Sequence, residues 1–314
     1  MKLSQALRVT PGEVIAFVGG GGKTTAMFQL ANELVPDMGV LTTTSTRIFA
    51  AQIKRSPAHV AFNPEQQTIA DILPRLVAAL AEHGQVLLIG QTEPNSGKAF
   101  GLPAEVIDVL AATGHFDVII NEADGSRMRP LKAPAAHEPV IPDATTLVVP
   151  VAGLDVVGQP LTDDAVHRAG LVGQLSGTPL GQPVTADTVA AVLSHSEGGL
   201  KYVPAQARVV PLLNKVDWKV EGWENWRIER GVLGAAREIA GKLLASERID
   251  SVAIGAVQQA ISPITEVHSR AAAVILAAGG SARFGSPKQL ARWGDKTFIE
   301  HAVDTALASQ ARPV

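Results

Sequence analysis

The stretch Val14-Ile15-Ala16-Phe17-Val18-Gly19-Gly20-Gly21-Gly22-Lys23-Thr24-Thr25 decides the fold. Five apolar residues read as a buried strand and four glycines follow. Lys-Thr-Thr then opens a segment in which Met27, Leu30, Ala31 and Leu34 recur at helical spacing. Strand, glycine loop and helix in that order make a cradle for an anion. Glycine lets successive backbone N–H groups turn inward around a negative group, and a helix start adds unpaired donors and the positive end of its dipole. Lys23 supplies a point charge for outer phosphates and Thr24 a hydroxyl for Mg2+. The candidate binding set is therefore Gly19, Gly20, Gly21, Gly22, Lys23, Thr24 and Thr25. Phe17 stands where the commoner G-x-x-x-x-G-K-[ST] loop has its first glycine, so this loop is shorter.

Outward from the loop, short apolar runs alternate with helical-period segments, the pattern of βαβ units and a parallel sheet. Strands are predicted at 14–18, 39–43, 86–89, 117–121, 146–151, 208–213, 251–254 and 273–276. Helices are predicted from Thr24, over 68–82 with a boundary or kink at Pro74, and over 163–175, 186–193 and 224–245. The fold class is α/β: a phosphate-loop type of parallel sheet flanked by helices. A break in pattern near 262–270 separates a nucleotide-binding domain, 1–262, from a second piece, 271–314.

Four further stretches carry candidate chemistry. Val118-Ile119-Ile120-Asn121-Glu122-Ala123-Asp124-Gly125 is a buried strand ending in carboxylates. Glu122 and Asp124 are candidates to complete a Mg2+ shell with Thr24, or to activate a nucleophile, and are taken with Lys23 as the catalytic set. Asn214-Lys215-Val216-Asp217, after an apolar run, has the spacing of a guanine reader. There Asp217 accepts two parallel N–H donors that adenine lacks, Lys215 lies over the base and Asn214 braces the loop. The hydroxyl-rich run Thr42-Thr43-Thr44-Ser45-Thr46-Arg47 suits either phosphate contact or simple strand formation. Arg127, Arg129 and Lys132 form a basic stretch fit for a second anionic substrate, or a solvated loop.

Composition excludes several classes. The chain has 314 residues, 46% hydrophobic, a net charge of −3 and no cysteine. Disulfides, thiolate catalysis, zinc–thiolate and iron–sulfur ligation are out. Aromatics at 4% and balanced charge argue against a nucleic-acid partner, and no apolar run reaches membrane-spanning length. A soluble, cytoplasmic protein is expected.

Taken in order, residues 19–25, 42–44, 122–126, 130–142, 153–155, 167–168 and 214–217 resemble the YqeC-type family of selenium-cofactor biosynthesis proteins, accessory to molybdenum hydroxylases. The resemblance, over about 12–254, implies a nucleotide-binding role and draws His137, Glu138 and His167 toward the site. Val274-Ile275-Leu276-Ala277-Ala278-Gly279-Gly280-Ser281-Ala282-Arg283-Phe284-Gly285-Ser286-Pro287-Lys288 resembles the opening of MobA/MocA-type nucleotidyltransferases. That likeness implies triphosphate contacts at Gly279, Gly280, Arg283 and Lys288, with CTP as a candidate ligand. It also implies an incomplete Rossmann-like segment, since the later strands with their metal-binding carboxylates do not follow, and nucleotidyl transfer is not expected. The expected cofactors are Mg2+ with ATP or GTP, and the expected partners a molybdopterin-type cofactor or a molybdenum hydroxylase. Two functions compete: an NTP-dependent enzyme of cofactor maturation, and a nucleotide-regulated binding module for a hydroxylase. A cytidylyltransferase is a third, conditional on a complete C-terminal domain.

Overall fold

A computed structural model of the chain describes residues 1–93, 97–217, 228–270, 274–277 and 287–308. Nine strands lie along one sheet: β1 (Glu13–Gly19), β2 (Val40–Thr44), β3 (His59–Ala61), β4 (Gln85–Ile89), β5 (Val118–Glu122), β6 (Leu147–Gly153), β7 (Leu212–Asn214), β8 (Ser251–Gly255) and β9 (Ile264–Ser269). Their lateral order is β9-β8-β7-β6-β1-β5-β2-β4-β3, and the short strand Arg208–Val209 also pairs with β6. Strands β1 to β8 pair in parallel. Strands covered on both faces need apolar residues at every position, which is why they stand out as continuous runs. In β1, Ile15 and Phe17 pack on one face with Met27, Leu30, Ala31 and Leu34 of the helix Lys23–Leu34, while Ala16 and Val18 pack on the other.

The order of the strands positions the site. Leaving β1, the chain builds β2 to β5 on one side and then crosses to β6 on the other. The carboxyl end of β1 thus faces the place where a parallel sheet opens a crevice.

Several predicted elements differ. The run 208–213 is broken: Arg208–Val209 and β7 pair separately, because Pro211 has no N–H for a ladder. The helix Ile69–His83 runs through Pro74 rather than ending there. The helix predicted from 163 begins at Ala169, since Arg168 holds a left-handed backbone (φ 67°) and Asp163 instead accepts the Ala169 N–H. Residues 274–276 of the predicted strand 273–276 are irregular, with 273 outside the described residues, and Val274 and Leu276 are exposed; no described strand pairs with them. Of the helix predicted over 224–245, Ile228–Leu243 is present and 224–227 lie outside the described residues.

Contacts divide the chain into two compact units, 1–268 and 269–314. Residues 262–268, read as a boundary, carry most of β9. The second unit has a turn (Lys288–Leu290), a hairpin (Arg292–Trp293 with Lys296–Thr297) and a helix (Phe298–Ala308). Its described residues contain no parallel sheet. Among the described residues, no helix is long and apolar enough to cross a membrane.

Candidate functional site

The glycine loop turns where only glycine fits. Gly19, Gly21 and Gly22 hold φ of 93°, 78° and 123°. A Cβ on Gly21 would also lie 2.1 Å from the Gly153 nitrogen, and one on Gly19 2.5 Å from the Val151 oxygen. The loop is pinned on three sides. The Gly20 N–H donates to Val151 O (2.9 Å), the Gly21 N–H to Arg129 O (3.0 Å), and Asn214 Nδ2 to Gly21 O (2.7 Å). Asn214 Oδ1 accepts the Val257 N–H at 3.0 Å. The ends of β1, β5, β6 and β7 therefore meet around residues 19–22.

Charge is concentrated at the same point. Lys23 is 3% exposed, with Nζ on Gly19 O, 3.1 Å from Asp124 Oδ1 and 3.9 Å from Glu122 Oε1. The Thr24 hydroxyl donates to Glu122 Oε2 at 2.6 Å, and Thr25 lies half-buried in the same helical turn. Asp124 accepts the Gly19 N–H on both oxygens (3.1 Å each), and Lys132 approaches its Oδ2 to 3.0 Å. Lys132, its side chain fully buried, also donates to Gly125 O (2.7 Å) and to Glu138 (2.8 Å), which in turn holds Arg168 at 2.6 Å.

These neighbours shift the titrating groups in opposite directions. Burial pushes the Glu122 carboxyl up, against the pull of Lys23 and of the Thr24 hydrogen bond. Burial alone would also raise Glu138, but the hydrogen bonds from Arg168 and Lys132 prevail and hold it at about 2. His167 is lowered to about 4, first by burial and then by the charges of Arg168, Lys132 and Arg127.

The remaining candidates are distributed unevenly. Asp217 is exposed and takes a 3.3 Å bond from Gln259, and Lys215 (φ 65°) pairs with Asp155 at 2.6 Å. His137 is exposed. The hydroxyls of Thr42, Thr43, Thr44 and Ser45 donate to the carbonyls of Val86, Leu88, Glu122 and Val140, so they tie strands and loops together instead of facing a phosphate. Lys132 is not on a solvated loop. Lys288 lies in the second unit's turn, and Gly279, Gly280 and Arg283 lie outside the described residues. Asp155, given no role by the sequence alone, holds Lys215 through one oxygen while the other is buried without a partner. Its signals were its place two residues after β6 and its membership of the 153–155 motif.

Thr24 and Glu122 set two oxygen donors side by side, a hard pair of the kind Mg2+ takes together with water and phosphate oxygens. No group of three or more acidic or histidine side chains forms a metal cage among the described residues. Asp124, read as a third ligand, faces two ammonium groups instead of Thr24.

Comparison with known proteins extends this picture. Two solved structures show a distant likeness: the signal recognition particle receptor FtsY of Elizabethkingia anophelis (16% identity, 83% of this chain and 67% of that one, TM-score 0.36) and an apo-form GTPase of Pyrococcus abyssi (13% identity, 80% and 92%, TM-score 0.34). Residues 273–314 match a MobA-like NTP transferase domain. Residues 15–170 match the family described as YqeC protein. The uncharacterized protein YqeC of Escherichia coli (strain K12) is 33% identical over 204 residues, 64% of this chain and 75% of its own length. With that identity across three quarters of a relative, and the glycine loop and acidic strand end inside residues 15–170, the chain belongs to the YqeC family.

Proposed function

We propose that the chain binds a magnesium nucleoside triphosphate in the loop of residues 19–25 and uses it in maturing a selenium or molybdenum cofactor for a molybdenum hydroxylase. One observation carries the binding step: Lys23, Thr24 and Glu122 converge beside a glycine-only loop at the carboxyl edge of a parallel sheet. Lys23 offsets phosphate charge, and Thr24 and Glu122 hold Mg2+, which neutralises charge developing on the phosphoryl oxygens. Asn214 keeps the loop in shape, and the exposed carboxylate of Asp217 is the base reader, which favours GTP over ATP. The reaction is hydrolysis or phosphoryl transfer to a molybdopterin-type acceptor.

A panel of ATP, GTP and CTP with Mg2+ tests this by thermal shift. A ligand bound only by the folded state raises the melting temperature by mass action. GTP is expected to give the largest rise, Lys23→Ala to abolish it and Asp217→Ala to remove the preference for guanine. No rise with any triphosphate ends the proposal.

A second reading, a nucleotide-regulated binding module, draws on the N–H groups of Gly19, Gly20 and Gly21, all held by the chain itself. A ligand must displace Asp124 and Arg129 to reach those of Gly19 and Gly21, and such a movement can gate docking to a hydroxylase. Phosphate release raised by a hydroxylase but by no small acceptor favours the module; the reverse favours the enzyme.

A further inference from the structure

We infer that the Asp124 carboxylate is a resident anion seated in the phosphate cradle, and that Lys132 is the cradle's second cation, uncovered when a polyphosphate takes the carboxylate's place. This rests on the proposed phosphate loop but on no particular base. The carboxylate has the partners a phosphoryl group would want. Both its oxygens accept the N–H of a cradle glycine, Gly19, and the Lys23 and Lys132 ammonium groups flank it at 3.1 and 3.0 Å. Asp124 is 2% exposed and the Lys132 side chain is fully buried, so the subsite is built into the fold. Nothing in this arrangement serves a metal, because cations crowd the carboxylate and the Thr24 hydroxyl goes to Glu122.

Asp124 lies outside the strand ladder that fixes Glu122. Glu122 ends β5 and is fixed by its ladder with β1 and β2, whereas Asp124 lies beyond the strand and precedes Gly125. Lys132 donates to Gly125 O and to Glu138, and Glu138 is itself clamped by Arg168, so this second anchor keeps the ammonium directed at the subsite when the carboxylate departs. Two cations then face the incoming phosphoryl, and the aspartate that held them apart becomes an internal competitor.

The test uses inorganic tripolyphosphate, which has no base, titrated calorimetrically into the full chain with Mg2+ and separately with EDTA. Asp124→Asn keeps the shape and removes the competing charge. It is expected to bind tripolyphosphate at least tenfold tighter than the wild type in both conditions, and adding Lys132→Met is expected to cancel the gain. Equal or weaker binding by Asp124→Asn, a loss confined to Mg2+ (the mark of a metal ligand), or no tripolyphosphate binding by any form overturns the inference. If tripolyphosphate behaves as expected while ATP, GTP and CTP bind no tighter than it does, the nucleotide function fails and the inference stands. Should Asp124→Asn not fold, amide exchange in the wild type decides: tripolyphosphate must speed exchange across 124–132, and unchanged or slowed exchange there refutes displacement.

Discussion

Asn214, read from the sequence as the brace of its loop, joins Gly21 O to the Val257 N–H. Truncation leaves both backbone groups buried and unpaired, so Asn214→Ala is expected to cost about 2–3 kcal/mol in urea unfolding. Asp217→Ala, at an exposed residue, should stay within about 0.5 kcal/mol. Equal costs would show that the two residues are not divided between bracing and recognition. His167 offers a second residue-level test. Held at about 4 against an ordinary 6.5, it stays neutral in the fold where the unfolded chain takes up a proton, so stability falls as pH drops through that window. His167→Asn removes this proton difference, and its melting temperature should decline less than the wild type's between pH 6.5 and 4; parallel curves would contradict the assignment. Sequence placed Lys23, Thr24 and Glu122 as candidates because each abuts a recognisable strand or loop. The grip of Lys132 on Asp124 was hidden, since seven residues of irregular chain separate them and only the folded loop closes that gap.

At the scale of elements, what could be read was what is buried on both faces. Strands β1, β4, β5, β6 and β8 are built on apolar runs, and β2 adds the β-branched threonines 42–44 to Val40 and Leu41. β9 escaped notice because an edge strand is buried only in part: Ile264 is enclosed while Thr265, Val267 and Ser269 are exposed, so it reads as weakly patterned linker. β3 is three residues long and carries no period to detect. The helix Ile69–His83 shows the opposite error. Its capping box at Thr68 and Asp71 and the buried Ile72 and Leu76 outweigh the proline within it. Pro74 is exposed, so replacing it loses no packing, and Pro74→Ala restores an N–H for the carbonyl of Ala70. Removing a proline cost of about 3 kcal/mol, less about 1 kcal/mol for the freer unfolded chain, leaves a gain of about 2 kcal/mol. A urea midpoint that fails to rise would show that the helix is already distorted to suit its proline.

Across the whole molecule, apolar burial is one-sided. All four clusters of buried hydrophobic residues lie between Leu3 and Ile264, while Leu276, Leu290, Trp293 and Phe298 of the second unit are exposed and its described residues include no buried side chain. Hydrophobic burial is the dominant favourable term in folding, so the cooperative transition belongs to the first unit. That unit is closed by its own ends: the Met1 amine donates to Ile264 O at 2.7 Å, the Ile264 N–H returns to Met1 O at 3.2 Å, and Glu266 pairs with Arg237. A chain cut after residue 270 keeps these ties and should melt within about 2 °C of the full chain by calorimetry, the shift expected of a change well under 1 kcal/mol in a domain of this size. A chain cut after residue 262 loses β9 together with the clasp on Met1, exposes the edge of β8 and should melt several degrees lower. If instead removing 271–314 causes the larger loss, stability resides outside the four buried clusters, and the division between the units has to be redrawn.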